Sequence, residues 1–172
     1  MAVKYRESVN MNDSVGLLMS ILMCYPGICT VRYIPEKNSL KFSYLMKEGF
    51  SDSKIDTIKA VLSQSIVFYA ETTRKRISPM ELVFSIVGEM GQLEILCGIV
   101  DLTREEINMV NEIVINHFPG VLTFETKEPM LEEDRIYQEA YIDSMLDSMR
   151  DCAPQRYLIG FREEGRVMVY NK

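Results

Sequence analysis

Two apolar runs in mid-chain constrain the fold most: Leu82–Val87 and Leu93–Val100, separated by Gly88-Glu89-Met90-Gly91-Gln92. Each run has the length of a strand, and a short glycine-bearing link between two such runs reads as a hairpin turn. Within the two runs nearly every position is apolar. That density predicts two strands inside a sheet, covered on both faces.

The rest of the chain falls into helices and further hairpins. An apolar stretch at Val15–Tyr25 follows Asn12 and Asp13, either of which can cap a helix, and Pro26-Gly27 ends it. Residues 1–11 read as an arm or a short edge strand. The helix has Val15, Leu18, Met19 and Leu22 on one side and Leu17, Ile21 and Cys24 around it. A helix this apolar is expected to be buried on most sides. Glu7 and Asp13 spoil the basic flank of a signal peptide, and the run is shorter than the roughly 20 residues of a membrane span.

Ile28–Tyr33 and Ser39–Met46 form a second predicted hairpin. In the later strand Leu40, Phe42, Tyr44 and Met46 alternate with Lys41, Ser43, Leu45 and Lys47. That period of two predicts one packed face and one wetter face. Ser53 with Asp56 has the spacing of a capping box and opens a helix to about Thr73, with Ile55, Ile58, Leu62, Ile66 and Tyr69 inward and Val61 and Phe68 beside them. Thr103 with Glu106 repeats that signature before a helix carrying Ile107, Val110, Val114 and Phe118. Val121–Thr126 alternates as a short strand. A last helix, about Leu131 to Cys152, bears Tyr137, Tyr141, Met145, Met149 and Cys152, and a terminal hairpin spans Arg156–Phe161 and Arg166–Tyr170.

These elements specify an α+β fold: a mainly antiparallel sheet of about seven strands built from hairpins, packed in two or three layers against about four helices. At 172 residues one domain over 1–172 suffices. The helix–proline–hairpin layout of 13–47 recurs at 131–170, a weak pseudo-symmetry.

Composition narrows the function classes. The net charge of −6 repels phosphate backbones, so nucleic acid is disfavoured as a partner. Four cysteines in a chain long enough to fold without staples read as buried thiols of a cytoplasmic protein. Cys24 and Cys29 are five positions apart with no second close Cys or His pair, so neither a metal site nor a cofactor is expected. The glycines at 88 and 91 serve a turn better than a phosphate.

Two readings of function follow. The first is a non-catalytic regulatory or structural protein-interaction module, associating as a two-fold homodimer through a helix or an open sheet edge. The second is a small-molecule binder or enzyme with a pocket between sheet and helices, where Glu94 or Glu81 would act with Tyr44, Arg32 or Arg156. Glu94 is its leading catalytic candidate because it interrupts an apolar strand and, if buried, would need a partner. His117, the only histidine, is the other candidate; its place near a helix C-terminus equally suits bonding the last carbonyls. Arg74-Lys75-Arg76 is a candidate partner-binding cluster, with a solvated helix end as the simpler account. Residues 125–151 hold nine acids and three bases, which reads as a solvated face or a surface for a basic partner.

Overall fold

A computed structural model describes residues 2–76, 80–124 and 130–171, with side chains from residue 13 onward. The order of elements is α1 (Ala2–Cys24), β1 (Thr30–Ile34), a 3-10 turn (Pro35–Lys37), β2 (Ser39–Met46), α2 (Asp52–Thr73), β3 (Met80–Val87), β4 (Met90–Gly98), α3 (Arg104–His117), α4 (Glu132–Asp151), β5 (Leu158–Glu163) and β6 (Arg166–Asn171). The strands make one antiparallel sheet in the order β3-β4-β2-β1-β5-β6. The α+β class and the four helices agree with the sequence.

Among the described residues the sheet has six strands rather than about seven. Val121 contributes only an isolated antiparallel bridge to Met46. Its segment is tied down by scattered bonds instead, Leu122 N–H to the Leu45 carbonyl and Phe124 N–H to the Pro26 carbonyl, both 2.8 Å. The expected strand's last two residues, 125 and 126, lie outside the described residues.

Three hairpins supply all the strands. In the second, β3–β4, Gly88 adopts φ 64° at the first position of a two-residue loop between paired Val87 and Met90, as a type II′ turn requires. In the last, Glu164 and Gly165 both have positive φ between paired Glu163 and Arg166, as in type I′. Gly91 has a different role. A Cβ there would stand 2.7 Å from the Glu48 carbonyl oxygen and 2.9 Å from the Phe50 ring, so the strand closes on its neighbour only with glycine.

One face of the sheet and all four helices share a single core. Val31, Tyr33, Leu40, Phe42, Tyr44, Leu93, Ile95, Cys97 and Leu158 face Leu17, Leu18, Ile21 and Leu22 of α1, Ile58 and Leu62 of α2, Ile107, Val110 and Val114 of α3, and Ile142, Leu146 and Met149 of α4. The apolar character of α1 all round now has a cause: it touches β1, β5 and β6 on one side and packs along α4 on another. The two helix–hairpin runs also meet, since β1 pairs with β5.

Several local expectations change. α1 continues through Asn12 and Asp13 back to Ala2 instead of starting there. The cap of α2 is Ser51, whose hydroxyl accepts from Lys54 N–H at 3.4 Å, not Ser53. The Thr103 capping box forms as expected, each partner bonding the other's backbone. Phe68, placed near the inner face of α2 by sequence, is 70 % exposed, and Tyr137 of α4 is 69 % exposed. In α2 the expected Ile58, Leu62 and Ile66 are buried together with Ala70, whereas in α4 the buried stripe is rotated to Ile142-Leu146-Met149. A helix apolar over a wide arc leaves the choice of stripe to its neighbours.

The larger correction concerns the mid-chain hairpin. Its strands pair as expected, but it lies at one end of the sheet and β3 is the edge. β4 alternates strictly between buried and half-buried, and the outward residues of β3 stay exposed. Among the described residues helices cover one face only, so the apolarity here marks a bare edge rather than burial on both sides.

Candidate functional site

The face turned away from the helices is the surface with the richest chemistry. Alternation along each strand places Thr30 and Arg32 of β1, Lys41, Ser43 and Leu45 of β2, Gln92, Glu94 and Leu96 of β4, and Val83 of β3 on it. β5 and β6 add Ile159, Phe161, Met168 and Tyr170. None of these side chains belongs to the core cluster.

A charged group occupies the middle. Lys41 Nζ lies 2.9 Å from Glu94 Oε2, Arg32 Nη1 3.9 Å from Glu94 Oε1, and Gln92 Nε2 donates to Glu94 Oε1 at 3.2 Å. Cross-strand register builds this group: Arg32 is opposite Lys41, and Ser43 is opposite Glu94. Its two cations are already engaged by one carboxylate. Near it the hydroxyls of Thr30 and Ser43 are buried with no hydrogen-bond partner among the described residues, as is Arg32 Nε. Apolar side chains flank the group on both sides: Leu45, Leu96 and Val83 toward β3, and Ile159, Met168 and the stacked rings of Phe161 and Tyr170, 5.5 Å between centroids, toward β6.

The sequence candidates do not converge. Glu94 and Arg32 meet, but Tyr44 points to the opposite face, where its hydroxyl donates to Asn111 Oδ1 at 3.3 Å in the core. Glu81 is exposed, 3.8 Å from Lys37, in an open cleft of about 350 Å³ with Asn38, Met80, Leu96 and Asp101. Arg156 is exposed between α4 and β5. His117 is exposed at the end of α3, its Nδ1 2.9 Å from the Ile113 carbonyl, and α3 packs on the face of the sheet opposite to Glu94. Arg74, Lys75 and Arg76 are exposed; Arg74 takes the left-handed conformation that ends α2, its N–H donating to the Ala70 carbonyl. Among the described residues no three of the His, Cys, Asp and Glu side chains assemble into a group that could hold a metal ion.

The acids of α4 are partly used internally. Arg104 of α3 donates through Nε to both Asp143 oxygens, at 3.1 and 3.0 Å, and lies 3.5 Å from Glu139. Asp147 accepts from Arg150, which also donates to the Leu102 carbonyl. The cysteines likewise divide. Cys24 and Cys97 are buried, Cys29 is half-buried and Cys152 is exposed; none is in a disulfide. Burial among apolar neighbours pushes the Cys24 thiol up to about 11 and the Cys97 thiol upward as well.

Sequence reasoning missed Lys41, Gln92 and the Phe161–Tyr170 pair as neighbours of a site. The alternation that puts each on a wet face was legible, but the register that gathers them was not. It also missed Arg162, which turns under α1: its Nη2 donates to the Leu22 carbonyl and, at 3.2 Å, to the Tyr25 carbonyl, and burial pulls its pKa below the ordinary guanidinium value.

Among the described residues no helix is long and apolar enough to cross a membrane. Comparison with protein-family models, with curated proteins and with solved structures found no match.

Proposed function

We propose that the chain is a non-catalytic protein-interaction module of regulatory or structural type, which binds its protein partner through the uncovered face of the sheet and acts as a homodimer in a reducing compartment, the cytoplasm. The observation that carries this reading is the one-sided sheet: four helices stand on one face, and the other presents Phe161, Met168, Tyr170, Leu96 and Val83 around a charged centre. Aromatic residues, methionine and arginine are the types enriched in protein interfaces. The one carboxylate of the centre is held between two cations, which suits a fixed polar anchor in an interface more than a group poised for proton transfer. A small-molecule pocket has less support, because Glu94 shares neither a cavity nor a face with Tyr44. Thiols rather than disulfides suit a reducing compartment.

The test is affinity for a purified partner, first captured on the full chain and then identified and reconstituted. Met168→Glu and Tyr170→Glu should each weaken that complex by about tenfold or more, whereas Phe68→Glu on the helical side should leave it unchanged. Equal affinity across all of them would remove the open face as the binding surface.

A further inference from the structure

We propose that two copies of the chain join through β3, edge to edge and antiparallel about a two-fold axis, so that one sheet runs through the dimer. This rests on the reading of the chain as a self-associating module and assigns the surface that does it.

An edge strand offers a row of backbone N–H and C=O groups that only another extended strand can satisfy in full. Proteins that stay monomeric blunt such edges with proline, lysine, bulges or brevity. β3 has none of these. It is eight residues long, MELVFSIV, with neither proline nor lysine. Its pairing with β4 runs unbroken from Met80–Cys97 to Val87–Met90, without a bulge. Val83 and Val87 stand bare on its outward face beside Glu81 and Ser85, 45 and 54 % exposed, and Ile86 on the other face is 69 % exposed. The opposite edge, β6, is shorter, starts with Arg166 and lies under α1.

Charge selects a second copy as the occupant. The chain carries −6 overall, so two copies repel across most surfaces. β3 holds a single charge, Glu81. In an antiparallel pair, residues directly opposite share a face, so a strand meeting its own copy must centre on one residue. Centred on Val83, Glu81 meets the second copy's Ser85, Leu82 meets Phe84, and Ile86 meets Met80. Centred on Phe84, Glu81 meets Val87, Leu82 meets Ile86, and Val83 meets Ser85. In either register the two Glu81 side chains are at least four residues apart along the seam, about 13 Å at the rise of a strand. That exceeds the screening length of roughly 8 Å at physiological salt. Every other opposition is apolar with apolar or with serine. The axis runs through the sheet, so all helices stay on one side and the binding face of each copy continues into the other.

Sedimentation equilibrium and hydrogen exchange on the full chain decide the matter. The wild type should show twice the 19.9 kDa chain mass at micromolar concentration. Its β3 amides should exchange faster on dilution, while β1 amides do not change. Val83→Lys with Ile86→Lys should raise the dimer Kd by about tenfold or more, because like charges then oppose or flank one another across the seam. A dimer with concentration-independent β3 exchange overturns the edge assignment and leaves self-association standing. A monomeric wild type overturns both. A series of ever larger species overturns the closed pair, since it would indicate β3 joining β6 head to tail.

Discussion

At the scale of single residues, close approach decides more than conformational preference. Gly91 sits in a strand, where glycine weakens the ladder unless another backbone comes near. Here the Glu48 carbonyl does. Gly91→Ala should therefore cost about 1–3 kcal/mol, the usual range for overpacking a closed site. Gly49→Ala, whose Cβ would meet only Ile86 at 3.9 Å, should be nearly neutral; urea denaturation of the two variants makes the comparison. The sequence shows both glycines in the hairpin region but not which one touches a neighbour. Glu94 shows the same division. Its break in an apolar strand announces a charged residue needing partners, yet Lys41 and Arg32 lie 53 and 62 positions away in sequence, distances that only register resolves.

At the scale of elements, caps and turns were the most legible. The Thr103–Glu106 box and the Gly88 and Gly165 turns act within a few residues, so local sequence determines them. The end of α1 is different. Its last carbonyls, at Leu22 and Tyr25, accept from Arg162, a residue of β5. A half-buried cation at a helix C-terminus is favoured by the helix dipole, while its remaining nitrogens, Nε and Nη1, have no partner among the described residues. Arg162→Met keeps the stem and removes the donors. It should lower stability by about 1.5–3 kcal/mol, the range for hydrogen bonds to a charged group. Arg166→Met, on the same hairpin and exposed, should stay within about 0.5 kcal/mol. Thermal and denaturant melts of both variants test this.

At the scale of the whole molecule, burial of weak acids sets the alkaline limit. Cys24 has its folded-state pKa raised from 9.0 to about 11, first by burial and then by the Glu139 carboxylate. The same burial raises Cys97, Tyr25 and Tyr44. The unfolded chain therefore releases these protons at lower pH than the folded one. Stability from Cys24 is fully present below about pH 9 and is lost as pH rises through about 11. Melting temperature should hold to about pH 9 and then fall continuously; a flat profile to pH 11 would contradict the burial of these groups. By itself the sequence determined the hairpin turns, the Thr103–Glu106 cap, the alternation of the strands and hence the α+β class, because each acts over a few residues. Only the tertiary structure decided that the greasiest hairpin lies at the rim, that the helices crowd one side, and that Arg32, Lys41 and Glu94 meet. Those outcomes depend on which strand pairs with which, and pairing is settled by the packing of the whole chain.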